Sequence, residues 1–288
     1  MSTKSTNTAD GRISRKAANK ATERLRHPSD KDDAESQGCI SAIEVAQRWR
    51  SQHILPTESC FQQLLAVAQE FPHAVLSFRL KRMKSILAKL RRPGRDYLLG
   101  TLDDIGGCRL ILNDIDQVNQ AVPALRGQLE LKHGRGVKNY IERPRLSGYR
   151  SCHLITVNEG NGLKYRVEVQ VRTRLQHLWS TAVEAASLAR GTDLKAEGKI
   201  EETGAWEREV REFFAIVSSL FALEEGTAQV EGYGGAKEEL VERLRGLGCL
   251  DDLLYDLSSI DNGVHVEWNG AQAESPSLYL LSLSPGLQ

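Results

Sequence analysis

The sequence predicts an α/β fold, and three stretches carry that prediction. Residues 162–173 (GLKYRVEVQVRT) alternate strictly, with Tyr165, Val167, Val169 and Val171 on one side and Arg166, Glu168, Gln170 and Arg172 on the other. That period of two is the mark of a strand. Cys108 to Leu112 (CRLIL) reads as a second strand, buried and bounded by Gly106-Gly107. Between the two, residues 113–129 place Val118, Val122 and Leu125 on one helical face behind a polar cap. Strands and helices that alternate along one chain build a sheet covered by helices.

The remaining elements follow in order. Residues 1–37 are polar and rich in Ser, Thr, Asn, Asp and Lys, which suits a mobile arm or a loosely held helix near residues 15–25. From Ile40 onward Ile43, Ala46 and Trp49 recur at three-residue steps, so a helix is expected until Pro56 breaks it. Trp49 and His53 lie four apart and are expected to pack on one helix face. A second helix carries Phe61, Leu64, Leu65 and Ala68. Phe78 to Arg95 then reads as a basic helix, with Leu80, Met83, Ile86, Leu87 and Leu90 on one side and Lys81, Lys84, Lys89 and Arg92 on the other. Pro93-Gly94 ends it. Further helices are expected over 174–189, 206–223 and 236–257, and a strand-like end over 277–283. The boundaries are therefore a mobile N-terminal arm at 1–37, a catalytic domain at 38–190 and a helical C-terminal extension at 191–288.

Charge gives the first hint of chemistry. Lysine plus arginine equals aspartate plus glutamate at 38 each, yet residues 78–95 hold eight cations and no acid. Residues 132–150 hold six cations against the single Glu142. Like charges at helical spacing cost stability, so such segments imply a local anion site. Asp103-Asp104 beside Gly106-Gly107 at the mouth of a strand suits a metal near phosphate, and suits a plain turn equally well. The loop 139–153 (NYIERPRLSGYRSCH) is basic, aromatic and turn-forming at once. It offers Tyr149 as a ring to stack on and Arg143, Arg145 and Arg150 as forks for phosphate. The bland alternative is a surface hairpin with scattered charges. Cys39, Cys60, Cys108, Cys152 and Cys249 show no CxxC spacing, so neither a zinc site nor a disulfide framework is indicated. No apolar run spans a membrane and no signal peptide is visible, so a cytoplasmic protein is expected.

From Arg79 to Glu184 the sequence resembles the RelA/SpoT family of alarmone synthetases, with five blocks in the family's order. Arg79, Lys81 and Lys89 in RLKRMKSILAK are similar to its R-x-K…S-I-x-x-K segment, where such residues hold the ATP phosphates. Asp104 and Arg109 in DIGGCR match D-[IL]-x-G-x-R, whose aspartate binds Mg²⁺. Lys138, Tyr149 and His153 match the loop that receives the guanine nucleotide, its tyrosine stacking on the base. Glu168, Gln170 and Arg172 in EVQVRT match E-[IV]-Q-[IV]-R-T, whose glutamate is the second acidic catalytic residue. His177, Trp179 and Glu184 resemble the family's H-x-W helix. Two departures stand out: Arg145 replaces the usual lysine after the loop's proline, and Glu184-Ala185 replaces a common Glu-His pair. No His-Asp dipeptide occurs, so the likeness is to the small, synthetase-only kind.

This resemblance implies a mixed sheet of about five strands flanked by helices, a nucleotidyltransferase-like synthetase fold. It implies transfer of pyrophosphate from ATP to the 3′-hydroxyl of GDP or GTP, in stringent-response signalling, with AMP released. Asp104 and Glu168 would be catalytic and would hold Mg²⁺. Arg79, Lys81, Lys89 and Arg109 would take the ATP phosphates. Lys138, Arg145, Tyr149, His153, Gln170 and Arg172 would receive the acceptor. Two alternatives stay open at this point: a toxin-type relative that modifies the 3′ end of tRNA, and a non-catalytic guanine-nucleotide sensor. A homo-oligomer is compatible with the pattern.

Overall fold

The computed structural model describes residues 12–27, 33–134, 136–192, 194, 204–253 and 255. Five strands form one mixed sheet: β1 (Val75–Leu80), β2 (Gly106–Leu112), β3 (Val137–Asn139), β4 (Cys152–Gly160) and β5 (Leu163–Thr173). Their order is β1-β2-β5-β4-β3, which puts β5 in the middle. The alternation of β5 explains that position. Tyr165, Val167, Val169 and Val171 are at most 1% exposed, while Arg166, Glu168 and Gln170 on the other face are half-buried. A two-residue turn joins β4 to β5, with Asn161 and Gly162 both at positive φ (52° and 74°). Such a turn requires an antiparallel hairpin, and Asn-Gly is its preferred pair.

The chain divides into two compact units, residues 1–110, 120–138 and 153–171 in the first and 111–119, 139–152 and 172–288 in the second. In the first, α1 (Arg15–Arg26), α2 (Asp33–Ser51), α3 (Ile54–Ala68) and α4 (Met83–Leu90) accompany the sheet. α1 lies where a mobile arm or a loosely held helix was expected; the helix forms, and its Ala17, Ala18, Ala21 and Leu25 are buried in a core with Trp49, Ile86 and Leu99. It is also tied by polar bonds: the Leu99 N–H donates to Thr22 Oγ1 (3.0 Å) and the Gly100 N–H to Asn19 Oδ1 (2.8 Å). His53 is a core residue, its Nδ1 2.8 Å from the Trp49 carbonyl and its ring edge-on to Trp49 and Tyr165. Burial pushes its pKa down to about 4. Pro56 sits inside the first turn of α3, where its missing N–H costs nothing, so the helix break falls at residues 52–53.

The basic run differs from the sequence expectation. Val75 to Leu80 form the edge strand β1, and helix begins only at Met83. The Lys81 N–H donates to the Ile105 carbonyl at 2.8 Å, carrying the extended backbone past Leu80. Arg79 and Lys81 therefore belong to a strand and its exit, and only Lys84 and Lys89 of that set lie on helix α4. α5 (Ile115–Gln128) follows β2, its start capped by Asp114 Oδ1, which accepts from the Gln117 N–H at 2.9 Å.

In the second unit α6 (Arg174–Arg190) opens on a reciprocal capping box between Thr173 and Gln176. α7 (Ala205–Glu225) and α8 (Lys237–Arg245) pack with it around Trp179, Val183, Phe213, Phe214, Leu240 and Leu244. α8 is shorter than the expected 236–257 helix, since Gly246 to Cys249 interrupt it before helix resumes at 250–253. The strand-like end at 277–283 lies outside the described residues. Among the described residues no helix is long and apolar enough to cross a membrane.

Candidate active site

A cavity of about 350 Å³ opens in the first unit, lined by Arg79, Lys81, Asp104, Arg109, Glu168 and Gln170 together with Ser77, Phe78, Gly107 and Cys108. Each element contributes by its register. β1 brings Arg79, β2 brings Arg109, and the outward face of β5 brings Glu168 and Gln170. Asp104 stands just before β2, and Lys89 reaches it from α4.

The charges are matched pairwise. Asp104 Oδ2 accepts from Lys89 Nζ at 2.8 Å and lies 3.2 Å from Lys81 Nζ. Burial pushes the Asp104 carboxyl upward, but Lys89 and Lys81 together outweigh it and hold it below the ordinary range, against a smaller push from Glu168. Its Oδ1 is buried with no hydrogen-bond partner. Glu168 is engaged on both oxygens, Oε1 by His153 Nδ1 at 3.1 Å and Oε2 by Gln170 Nε2 at 2.8 Å. Burial alone would raise Glu168; the charge and hydrogen bond of His153, then Gln170 and Lys89, bring its pKa down to about 2. His153 was expected among the acceptor-binding residues, and the structure sets it against this carboxylate.

Asp103 and Asp104, adjacent in sequence, have separate tasks. Asp103 accepts from Lys132 Nζ at 3.0 Å and from Arg166 NH1 at 2.9 Å, and Arg166 also donates to the Thr101 carbonyl. That clamp fixes the turn on which Asp104 is presented. Sequence reasoning left Arg166 and Lys132 out of the site, although Arg166 shares the outward face of β5 with Glu168. Lys138, in β3, is half-buried and not among the cavity's lining residues.

Arg145, Tyr149 and Arg172 fall in the second unit. β3 ends at Asn139, whose Oδ1 accepts from the Ile141 N–H (3.0 Å), so Tyr140-Ile141 form a turn. The Arg145 guanidinium lies 4.5 Å from the centre of the Tyr140 ring and donates to the Tyr140 hydroxyl at 2.8 Å. Tyr149 is half-buried, edge-on to Tyr140 at 6.0 Å and to Trp179 at 6.4 Å. Arg150, expected as a phosphate fork, is 2% exposed. Its Nε donates to Ser218 Oγ at 2.8 Å, and burial lowers its pKa to about 10 against the attraction of Glu225. It is a structural residue. Arg172 is only 1% exposed, so it is not offered on an open strand face. In the H-x-W segment, Trp179 is core, its Nε1 donating to the Phe214 carbonyl at 2.8 Å, and Glu184 is exposed.

Residues 78–189 match the family model described as a region found in RelA/SpoT proteins. The chain is similar to the GTP pyrophosphokinase YwaC of Bacillus subtilis, 34% identical over 111 residues that make up 36% of this chain and 52% of that protein. It is also similar to a probable chloroplastic GTP diphosphokinase, RSH3, of rice, 33% identical over 103 residues that are 36% of this chain and 14% of the rice protein. The chain thus spans about half the length of the Bacillus relative and far less of the plant one. A solved GTP pyrophosphokinase family protein from Streptococcus pneumoniae shares the fold, with a TM-score of 0.50 at 20% identity over 62% of this chain and 90% of that one.

Proposed function

We propose, from the match of residues 78–189 to the region found in RelA/SpoT proteins, that this chain is a (p)ppGpp synthetase of the stringent response. It moves the β,γ-pyrophosphoryl group of ATP to the ribose 3′-hydroxyl of GDP or GTP. The hydroxyl oxygen bonds to the β-phosphorus, the bond from that phosphorus to the α,β-bridging oxygen breaks, and AMP leaves. The observation that carries this reading is the cavity itself, lined by two carboxylates and three cations, with a fourth cation, Lys89, paired to Asp104. A group that gathers negative charge on equatorial oxygens is stabilised by fixed cations and little else.

Mg²⁺ fits this donor set. It takes carboxylate and phosphate oxygens, with few ligands from the protein. Asp104 Oδ1 is buried with no hydrogen-bond partner. Asp104 and Glu168 would hold the ion, which supplies neutralising charge at the phosphates. Lys81 and Lys89 keep Asp104 ionised and are placed to share their protons with an incoming phosphate. Glu168, with a pKa near 2, is a weak base at neutral pH. It accepts the hydroxyl proton only late, once bonding to phosphorus has acidified that hydroxyl. Tyr149 stacks on the acceptor base.

One experiment tests the whole reading. ATP labelled at the γ-phosphate is offered with GDP, GTP and tRNA as acceptors, at low and at physiological salt. Label in GDP or GTP with equimolar AMP is expected. Label in tRNA at both salts, with guanine nucleotides untouched, makes the chain a tRNA-modifying relative. Nucleotide binding without AMP makes it a sensor.

A further inference from the structure

Helix α7 lies beyond residue 189, where the family match ends, and the sequence assigned it no task. We infer that α7 is the positioning element of the acceptor-binding loop and that Ser218 is the residue through which it acts; this rests on the reading of Tyr149 given above.

Ser218 grips the loop on both sides of Tyr149. Its hydroxyl donates to the Gly148 carbonyl at 2.7 Å and accepts from Arg150 Nε at 2.8 Å. A serine inside a helix commonly spends its hydroxyl on the carbonyl a turn earlier. Ser218, 1% exposed in mid-helix, spends it on a loop 70 residues away in sequence. The gripped backbone has no slack. Gly148 has φ +89°, and a Cβ there would stand 2.9 Å from Ser218 Cβ, 2.9 Å from Trp179 Cζ2 and 3.0 Å from the Phe214 carbonyl oxygen. A side chain at 148 is thus excluded by α7 and α6 together, and the left-handed turn it makes is the one that delivers Tyr149.

Arg150 extends the grip. Its NH1 lies 3.5 Å from both the Ile141 carbonyl and Thr227 Oγ1, so it joins the far limb of the loop to the end of α7. Glu225, the last residue of α7, offsets its charge and accepts from Thr173 and from Gln176 Nε2, tying α7 to the first turn of α6. On that frame the Tyr149 ring leans edge-on against Trp179, itself bonded to α7 through the Phe214 carbonyl. A ring that must meet a flat base gains most from being fixed before the base arrives, because less ordering is left to the binding step. The helix outside the family region therefore sets acceptor affinity.

The test is Ser218→Ala in the full chain, read by steady-state kinetics and by hydrogen exchange. The Michaelis constant for the guanine nucleotide should rise about five- to tenfold, the effect of losing well-made buried hydrogen bonds. The constant for ATP and the turnover number should stay within about twofold, since the cavity groups are untouched. Amides of residues 145–150 should exchange faster while those of 205–217 stay protected. A lowered melting temperature with unchanged acceptor constant and unchanged exchange at 145–150 overturns the inference, because Ser218 is then core filling alone. If Ser218→Ala does not fold, Ser218→Cys keeps the volume, weakens both bonds and is held to the same outcomes. Should the wild type transfer nothing to GDP or GTP, the proposed reaction falls, and the exchange arm alone decides this inference: faster exchange at 145–150 supports it and unchanged exchange sinks it.

Discussion

The cavity of the first unit and the Tyr149 loop of the second are built on opposite principles. In the cavity, charged and polar side chains hold the carboxylates: Lys81 and Lys89 hold Asp104, and His153 with Gln170 holds Glu168, through side chains that keep some exposure. Around Tyr149 the fixing contacts include a serine hydroxyl, a backbone carbonyl and aromatic edges, and Arg150, which joins them, is 2% exposed. Under the proposed function, the difference follows from what each region would receive. A polyphosphate brings charge, so its site stores cations on carboxylates that can exchange them when the anion arrives. A nucleobase brings a flat, neutral surface, so its site must store geometry. Removing a charge should therefore strike turnover in the first region, and removing a contact should strike affinity in the second.

The largest break in that contrast comes from the carboxylates. Glu168→Gln and Asp104→Asn should each cut AMP formation about a hundredfold or more, the order seen when a preorganised charge-stabilising group is lost. The fold should stay intact, but the melting temperature at neutral pH should fall for Glu168→Gln, because the stability carried by the ionised carboxylate goes with it. AMP release followed by chromatography, beside a thermal melt, reads both. A Glu168→Gln protein that makes AMP at the wild-type rate removes Glu168 from the chemistry.

Tyr149 gives the middle effect and tests the other side of the contrast. Stacking on an aromatic ring is worth roughly 1–3 kcal/mol per base, so Tyr149→Ala should weaken guanine-nucleotide binding about tenfold or more, with ATP binding unchanged. Tyr149→Phe should bind nearly as well as the wild type. Because the ring is half-buried against Trp179, the alanine variant should also melt earlier. Calorimetric titration with each nucleotide separates the two. Equal losses for ATP and guanine nucleotide would mean that the tyrosine serves the fold and not the base.

Much of this was legible in the sequence where the physics is local. The alternation of residues 162–173 fixed both the strand and the face on which Glu168 and Gln170 stand, because a half-buried strand must alternate. Asp104 was legible as a carboxylate at a strand mouth beside glycines. β1 was not, because Leu80, Met83, Leu87 and Leu90 mimic a helical stripe while Val75, Leu76 and Phe78 suit an edge strand; pairing with β2 decides, and pairing is non-local. Arg150 looked like one more fork in a basic loop. Its burial depends on Ser218 and Glu225, 68 and 75 residues further on, and no local pattern announces them. α7 was readable as an amphipathic helix, but what its polar serine touched was not.

The smallest effect, and the one that sets the two regions against each other directly, is in the pH dependence of stability. Glu168 has a folded pKa near 2, below the ordinary 4.5 of a glutamate. In that interval the unfolded chain holds a proton that the folded one does not, so stability rises as pH climbs from about 2 to 4.5 and is lost again as pH falls through the folded value. Asp104, held low by its two lysines, acts in the same sense. Glu225 behaves in reverse. Burial raises its pKa, against the hydrogen bonds of Thr173 and Gln176 and the charge of Arg150. Between the ordinary value and its raised one the folded chain holds the extra proton, so its contribution falls as pH rises. Melting temperatures recorded from pH 3 to 7 should therefore show a shallower acid limb in Glu168→Gln than in the wild type. In Glu225→Gln the limb below pH 4.5 should stay as in the wild type, and the decline just above it should flatten. If both variants changed the same limb, the two carboxylates would not be held in the opposite electrostatic senses that their surroundings indicate.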